Sequence, residues 1–388
     1  MIRVCMITTD HPVLDTRIFY KEALSLKKAG YDVWVVGGSN SYEHKMVREI
    51  DVIGLKKGRG LIANPILWMA LAKEATKVDA AIYHCHEPES FLVALYLRIF
   101  KGKMIIYDIH EYHLDIMRVA RIPLKIFLAF MLFLVEPLFC RYTCAIITAD
   151  EGISRRYARF CDNVVSVFNF PTSDVFDRTD LQMVRGRYSG RFMVVYVGGM
   201  TEDRGILESI KAVHRASIVH PEIKLLLIGG FRSPEFKNAC LEYIERHQLH
   251  DKVELLGHIP HDEVPKYIVA SDIGIALFHP TKRLMKTSYP LKLFEYMICG
   301  KPVIVSDLPA MKKVIEEARC GLFVNPMDIE DVSRAIGYAV EHPEELSAMS
   351  RRAKEAINTK YNWEKMGKVL VEVYQKICVP KTDIQKDA

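Results

Sequence analysis

The chain has 388 residues, of which 50% are hydrophobic and 26% charged, and its formal net charge is +5. This length predicts two domains, each with its own core, and the composition is that of an ordinary folded protein. The small net charge, without a Lys/Arg-rich run, argues against nucleic acid as a partner.

The cysteines and the first residues indicate the cellular compartment of the protein. Nine cysteines are scattered along the sequence without a Cys-x-x-Cys pair. An odd, dispersed set predicts free thiols in a reducing compartment and argues against a zinc site or a disulfide framework. Because Met1 leads almost directly into a strand-like run, without a long apolar signal core, we expect a cytoplasmic protein. No metal site is evident in the sequence, so we expect no metal or other cofactor.

Strand-like runs alternate with helical periodicity in both halves of the chain. The runs lie at residues 4–8, 31–38, 80–83, 104–107, 145–148, 192–199, 224–230, 253–256, 273–277 and 303–305. This alternation predicts an α/β fold with parallel sheets covered by helices. The loop after the first run contains no glycine, which argues against a dinucleotide-binding dehydrogenase.

The polar connection between Asn169 and Gly190 predicts the domain boundary. We therefore expect a first domain over residues 1–175 and a second over residues 190–361. A final amphipathic helix is expected over about 362–378.

Charged residues follow one predicted strand of the first half. His110 and Glu111 come shortly after the run at 104–107. A histidine can exchange a proton near neutral pH, and a neighbouring carboxylate can fix its tautomer, so the two form a candidate catalytic pair. A loop-capping role is an equal alternative. For His86 and Glu87, after another predicted strand, the structural role is favoured.

A glycine-containing loop joins a strand to a helix in the second half. Its glycines, from Gly198 to Gly205, allow a ligand to approach the backbone closely. Arg204 near the predicted helix start could pair with phosphate oxygens. The alternative is a tight turn with a solvated arginine.

Residues 287–307 predict a short helix followed directly by a strand. Pro290 suits the first helical position, and Gly300 suits the residue just past the helix end. Lys292 and Glu295 share one face of this helix, away from its apolar positions. Taken alone, this pattern favours a surface helix with a solvated Lys292–Glu295 pair.

The most apolar run of the chain covers residues 126–135. It is too short to span a bilayer, and it is preceded by Arg118, Arg121 and Lys125. Basic residues flanking an apolar segment suit the interface of an anionic membrane. A buried helix of the first domain is an equal alternative.

Four motifs in this order resemble the retaining glycosyltransferases of family 4, which belong to glycosyltransferase group 1. The motifs are Asp15-x-Arg17 with the helix after it, Tyr107-Asp-Ile-His-Glu111, Gly198 to Gly205, and Pro290-x-Lys292-x-x-Glu295 followed by Gly300-x-Pro. The resemblance implies the GT-B fold, in which two Rossmann-like domains face each other across a cleft. It also implies that the final helix packs back on the first domain.

The resemblance assigns roles to residues. It implies that the second domain binds a nucleotide-sugar donor and that the first binds the acceptor. Glu295 would then hold the donor ribose, Arg204 would meet the diphosphate, and His110 would line the reaction centre. The other candidates are Glu111 beside His110, Gly199, Thr287 and Lys292 on the donor side, and Asp15 and Arg17 in an acceptor-side or cleft loop.

The chain departs from the family pattern at two places. Thr287 stands where many members carry a glutamate, which leaves the identity of the donor sugar open. Gly199 and Arg204 stand where many carry arginine and lysine, so that one cation of the pair is missing. Lys292 is the candidate for the compensating charge.

These observations favour a retaining glycosyltransferase that moves a sugar to a lipid-linked or polysaccharide acceptor. The enzyme would act at the cytoplasmic membrane face, with peripheral contact through residues 118–141. Front-face attack in a retaining transfer needs no enzyme nucleophile, which agrees with the lack of an evident one. The alternatives are a nucleotide-sugar epimerase or hydrolase on the same fold and a non-catalytic nucleotide-sugar-binding protein.

Overall fold

The computed structural model describes residues 1–58, 63–110, 135–172, 181–260, 263–280 and 289–378. Within it the chain forms two compact units. The first contains Met1–Asn169 and the terminal segment from Trp363, and the second contains Phe170–Asn362. Several predicted features lie outside the described residues: Glu111, Thr287, Arg118, Arg121, Lys125 and all but the last residue of the apolar run.

In its described residues, the first unit contains an eight-stranded sheet in the order β3-β4-β2-β1-β5-β6-β7-β8. Neighbouring strands are parallel except for the edge strand β3, which is antiparallel to β4. The strands are β1 (Arg3–Thr8), β2 (Asp32–Ser39), β3 (Glu43–Val47), β4 (Ile50–Lys56), β5 (Ile82–Cys85), β6 (Met104–Ile109), β7 (Ala145–Thr148) and β8 (Val164–Ser166).

Helices cover both faces of this sheet, which is why central strands such as β1 read as continuous apolar runs. The helices are α1 (Leu24–Lys28), α2 (Ala63–Val78), α3 (Pro88–Lys101), α4 (Glu151–Tyr157) and the terminal helix (Trp363–Cys378). A π-helical turn, Ile18–Ala23, runs directly into α1.

The terminal helix belongs to the core of the first unit. Leu370 and Tyr374 are fully buried, in one apolar cluster with Ile18 and Leu26. The Trp363 indole N–H donates to Ser25 Oγ at 2.9 Å. The terminal helix therefore packs beside the first helical segment after β1.

In its described residues, the second unit contains a six-stranded parallel sheet in the order β11-β10-β9-β12-β13-β14. Its strands are β9 (Phe192–Val197), β10 (Ile223–Ile228), β11 (Val253–Gly257), β12 (Ile273–Ala276), β13 (Val303–Ser306) and β14 (Gly321–Val324). Its helices are α5 (Leu181–Arg187), α6 (Ile206–Ala216), α7 (Pro234–Arg246), α8 (Val264–Ala270), α9 (Leu291–Ile298), α10 (Pro309–Ala318), α11 (Ile329–Glu341) and α12 (Pro343–Thr359).

The sequence reading missed four strands, β3, β4, β8 and β14. β3 lies at the sheet edge with largely exposed side chains, and β8 and β14 are only three and four residues long. Such strands carry little of the apolar pattern by which buried strands are recognised. Of the described helices, none is both long and apolar enough to cross a membrane.

Candidate functional site

In the first unit, polar side chains gather at the carboxyl ends of neighbouring strands. Parallel strands bring these ends to one edge of the sheet, where ligands bind in open α/β folds. β6 carries Asp108 and ends just before His110, and His84 lies within β5. The other members are Arg17 and Glu22 from the segment after β1, and His86 and Glu87 directly after β5.

Arg17 lies inside this cluster with 5% of its surface exposed. Its Nη2 donates to Asp108 Oδ2 at 2.9 Å, and its Nε lies 2.7 Å from Glu22 Oε1. The π-helical turn explains the geometry, because residues five apart are bonded neighbours in it: the Glu22 N–H donates to the Arg17 carbonyl. Both of these contacts are buried within the first unit, and the expected place of Arg17 in an acceptor-side or cleft loop stays a prediction.

The pKa values of the two buried carboxyl groups, Glu22 and Asp108, are shifted in opposite directions. Burial, followed by the nearby Asp108 charge, raises the pKa of Glu22 well above its ordinary value. Burial also opposes ionisation of Asp108, but the positive charge of Arg17 and the contacts with His110 and His86 together outweigh it and hold the pKa of Asp108 well below its ordinary value. The cluster therefore contains an Arg17–Asp108 ion pair beside Glu22, whose carboxyl group takes up a proton more readily than an exposed one does.

Three histidines surround Asp108. His110 Nε2 lies 3.2 Å from Asp108 Oδ2 and 3.3 Å from His86 Nδ1. His84 Nδ1 lies 2.8 Å from the hydroxyl of Tyr374 on the terminal helix. His84 and His86 are buried, and 12% of the His110 side chain is exposed. His110 is therefore the histidine of this network that can meet a ligand.

Burial sets the charge of these histidines. It lowers the pKa of His84 well below the ordinary value, with a further contribution from His86. Burial also lowers the pKa of His110, although the Asp108 charge opposes it. Both rings are therefore neutral near pH 7.

Four residues of the network can in principle hold a metal ion. Glu22, His84, His86 and Asp108 each place one ligand atom within 4.8 Å of the others. Imidazole and carboxylate ligands suit several transition metals. However, Arg17 contacts both carboxyl groups and already supplies a cation to balance them. The expectation that no metal is needed stays a prediction.

Asp15 and Glu87 shape the segment after β1. Asp15 Oδ1 accepts from the backbone N–H groups of Arg17 at 2.7 Å and Ile18 at 3.0 Å, where the π-helical turn begins. Glu87 accepts from the Thr8 hydroxyl and from the backbone N–H groups at residues 9–11. The two bonds to Asp15 fix the backbone at the start of the turn, and the expected place of Asp15 in an acceptor-side or cleft loop stays a prediction.

In the second unit, two glycine loops pass each other at the carboxyl ends of β9 and β10. Gly198 has φ 124° and Gly229 has φ 135°. A Cβ atom on Gly229 would lie 2.1 Å from the Gly198 carbonyl oxygen, so a side chain cannot fit there. A Cβ atom on Gly198 would lie 3.5 Å from Lys292 Nζ, so a cationic side chain lies against the loop. Ligand binding by this loop stays a prediction.

Lys292 on α9 lies beside this glycine loop. Only 6% of it is exposed, and its Nζ lies 3.7 Å from the centroid of the Tyr196 ring. Among the described residues, Nζ has no hydrogen-bond partner. The prediction of a solvated Lys292–Glu295 pair is therefore wrong for Lys292, because the face of α9 that carries Lys292 packs against β9. Burial, then the charge of Arg204, lowers the pKa of Lys292 well below its ordinary value.

Two arginines lie around the same loop. Arg204 ends a 3-10 turn, Glu202–Arg204, and its guanidinium carbon lies 5.2 Å from the centroid of the Phe278 ring. Lys292 Nζ lies 5.0 Å from that centroid. Arg232 Nε lies 3.5 Å from where a Cβ atom of Gly199 would be. Arg232 was not predicted as a site residue, although an arginine just after Gly229-Gly230 at the end of a strand is a pattern that indicates one.

The second unit thus brings together four of the predicted donor-side residues: Gly199, Arg204, Lys292 and Glu295. Glu295 lies on α9, whose N-cap is Pro290, with the helix beginning at Leu291. Three cationic side chains and a bare glycine backbone suit a ligand with several negative charges. The free N–H groups at the start of a helix such as α9 also favour phosphate oxygens.

The fold is similar to solved glycosyltransferase structures over nearly the whole chain. Sucrose-phosphate synthase from Thermosynechococcus elongatus gives a TM-score of 0.76 at 18% identity, over 97% of this chain and 99% of that chain. Anabaena Alr3699/HepE in complex with UDP-glucose gives a TM-score of 0.72 at 13% identity, over 96% of this chain and 99% of that chain. With its two parallel-sheet α/β units, the chain has the GT-B fold, which confirms the predicted fold class.

Sequence comparison gives the family. Residues 177–356 match the family model described as Glycosyl transferases group 1. Glycogen synthase from Mycobacterium tuberculosis is 18% identical over 186 residues, covering 48% of this chain and 43% of that protein. The chain spans about half the length of the curated relatives it matches. Residues 177–356 belong to the group 1 glycosyltransferases, as the motifs predicted, and membership in family 4 stays a prediction.

Proposed function

We propose that this chain is a retaining glycosyltransferase that takes a sugar from a nucleotide-sugar donor bound by the second unit. The observation that carries the proposal is the buried side-chain amine of Lys292, which has no hydrogen-bond partner among the described residues. A buried cation without a partner is costly, and the oxygens of a diphosphate would relieve that cost. The match of residues 177–356 to the glycosyltransferase family supports the same conclusion.

The cations around the glycine loop would serve the chemical step. When the sugar leaves its nucleoside diphosphate, negative charge develops on the diphosphate oxygens. Lys292, Arg204 and Arg232 would stabilise that charge, and preorganised electrostatic stabilisation is usually the largest single contribution to catalysis. Glu295 would accept hydrogen bonds from the ribose hydroxyls, since a carboxylate is an acceptor.

The acceptor is proposed to bind the first unit, with His110 at the reacting groups. We propose a lipid-linked or polysaccharide acceptor at the cytoplasmic membrane face, contacted through residues 118–141. Large side chains of the described part of this segment are exposed and lie beside Arg141: Leu138 at 56% and Phe139 at 39%. Exposed apolar groups next to a basic side chain suit an anionic membrane surface.

The test is to incubate the full chain with a panel of nucleotide sugars, with and without lipid-linked and saccharide acceptors. Nucleoside diphosphate release that requires an acceptor, with the anomeric configuration of the donor kept in the product, is the expected result. Release without acceptor would make the protein a hydrolase, and an altered donor sugar would make it an epimerase. Binding without turnover would make it a non-catalytic binding protein, and an inverted product would overturn the retaining mechanism.

A further inference from the structure

We propose that the outer side of helices α2 and α3 in the first unit docks on an anionic lipid bilayer. This surface, the α2–α3 face, does not include residues 118–141, which the proposed function places at the membrane. The inference goes beyond the proposed function, because binding to lipid vesicles can be measured without a sugar donor or an acceptor.

Large apolar side chains are exposed along the outer side of both helices. On α3 they are spaced three or four residues apart, which places them on one side of the helix. The rings of Tyr96 and Phe100 lie 5.2 Å apart between centroids. Scattered exposed apolar residues are ordinary, but a contiguous group of them marks an interaction surface. The members are 42% to 70% exposed: Ile66, Met69, Leu92, Tyr96, Ile99 and Phe100.

The inner side of the two helices has apolar residues of its own. Leu67 and Leu71 of α2 and Phe91 and Leu95 of α3 are buried together in one apolar cluster. A surface helix usually has polar residues on the side opposite its buried stripe. The exposed apolar residues of the α2–α3 face are therefore additional to those that attach these helices to the core.

Positive charge collects at one end of the α2–α3 face. α2 ends just before β5 and α3 begins just after it, so the last turns of both helices lie at the same edge of the sheet. A contact of 2.6 Å between Lys103 Nζ and Asp79 Oδ1 joins the two ends. The charged residues in this region are the cations Lys73, Lys77, Arg98, Lys101 and Lys103 and the acids Glu74 and Asp79.

This combination of groups favours an anionic bilayer as the partner. Apolar side chains enter the boundary between headgroups and acyl chains, and nearby lysines pair with anionic headgroups. The long lysine stems let the ammonium groups stay at the level of the headgroups. A second copy of the same face would bring the same excess of cations, whereas anionic headgroups would neutralise it.

The experiment is co-sedimentation of the full chain with vesicles of phosphatidylcholine mixed with phosphatidylglycerol, and with vesicles of phosphatidylcholine alone. We expect binding to the mixed vesicles that weakens as salt is added, because salt screens exposed charges. Binding to phosphatidylcholine alone should be much weaker. No binding to the mixed vesicles, or equal binding to both kinds, would overturn the proposal.

A pair of substitutions tests the apolar residues. Ile99→Ser together with Phe100→Ser should lower the affinity for the mixed vesicles by about tenfold or more. Ile218→Ser with Val219→Ser is the matched control, because these apolar neighbours in the second unit are 66% and 73% exposed. Thermal melts check that both variants fold. A folded Ile99/Phe100 variant that binds vesicles as the wild type does would overturn the proposal.

A second pair tests the charge. Lys73→Glu should weaken binding to the mixed vesicles, whereas Lys237→Glu, on an exposed lysine of the second unit, should not. Equal effects of the two changes would mean that only the net charge of the chain matters, and this would remove the α2–α3 face as the docking surface.

Further outcomes separate the α2–α3 face from the proposed function. Leu138→Ser with Phe139→Ser tests the contact through residues 118–141. Loss of vesicle binding in that variant, with none in the Ile99/Phe100 variant, would overturn the α2–α3 face. A dimer seen by light scattering, lost in the Ile99/Phe100 variant and without vesicle binding, would also overturn it. Vesicle binding that depends on Ile99 and Phe100 in a chain that transfers no sugar would retain the face and remove the proposed function.

Discussion

Lys292 is the side chain on which the donor site depends most. Replacing it with methionine removes a buried amine that has no hydrogen-bond partner among the described residues, and it keeps most of the side-chain volume. We expect Lys292→Met to raise the melting temperature of the ligand-free protein, by about 2–4 °C for each kcal/mol gained. The same change should weaken binding of a nucleoside diphosphate by about tenfold or more, because charge-assisted hydrogen bonds are worth about 1.5–3 kcal/mol.

Thermal melts with and without nucleoside diphosphate measure both effects. Lys237→Met is the control, since Lys237 is an exposed lysine of α7 in the same unit. A variant that is less stable than the wild type and still binds normally would show that Lys292 is a structural residue.

His84 predicts a pH dependence of stability. Its pKa in the folded protein lies well below the ordinary value because of burial, whereas the unfolded chain takes up the proton near pH 6.5. The unfolded state therefore binds more protons as the pH falls below about 6.5, and stability should decrease there. His11 acts in the opposite direction, because its hydrogen bond to Asp15 raises its pKa.

Urea unfolding at pH 8 and pH 5.5 tests this, with His84→Gln as the comparison. The wild type should lose more stability between the two pH values than the variant does. Equal losses would mean that His84 is protonated in the folded protein.

The terminal helix and the first unit are joined by the hydroxyl of Tyr374. Tyr374→Phe removes the 2.8 Å hydrogen bond to His84 Nδ1 and leaves a buried nitrogen without a partner. We expect a loss of about 1–3 kcal/mol in the free energy of unfolding, which is the usual cost of an unsatisfied buried polar group. Chemical denaturation measures it. Tyr338→Phe, on an exposed side chain of α11, should cost much less; equal losses would contradict this account.

The turn that carries Arg204 depends on Gly205. This residue has φ 63°, and a Cβ atom there would lie 2.2 Å from the Leu277 carbonyl oxygen. We expect Gly205→Ala to shift the turn and to weaken donor binding together with stability, as measured by calorimetric titration and thermal melts. Gly190→Ala is the matched control, since Gly190 also has a positive φ of 75° but no atom within 4 Å of the added Cβ. Equal effects of the two changes would show that only backbone strain matters.

At the scale of the whole molecule, the sequence predicted the features that depend on periodicity and on local motifs. The buried parallel strands and the residues at their carboxyl ends were readable because both domains repeat the same alternation of strand and helix. The motifs also located Gly199, Arg204, Lys292 and Glu295, which the second unit does bring together.

The rest required long-range contacts. Arg17 and Asp108 are 91 residues apart in the sequence, and His84 and Tyr374 are 290 residues apart. No local sequence pattern therefore predicts either pair. The burial of Lys292 was missed because a lysine next to a glutamate on a helix usually lies in solvent. The π-helical turn that aligns Arg17 with Glu22 could not be predicted either, because the sequence was compared only with the α-helical period.

The most direct test of the central claim is a calorimetric titration of the full chain with UDP, GDP, ADP and CDP, for the wild type and for Lys292→Met. We predict that at least one of these nucleoside diphosphates binds the wild type and that its affinity falls at least tenfold in the variant. No binding to the wild type, or equal binding to both proteins, would contradict the assignment of the glycine loop and its cations as the donor site.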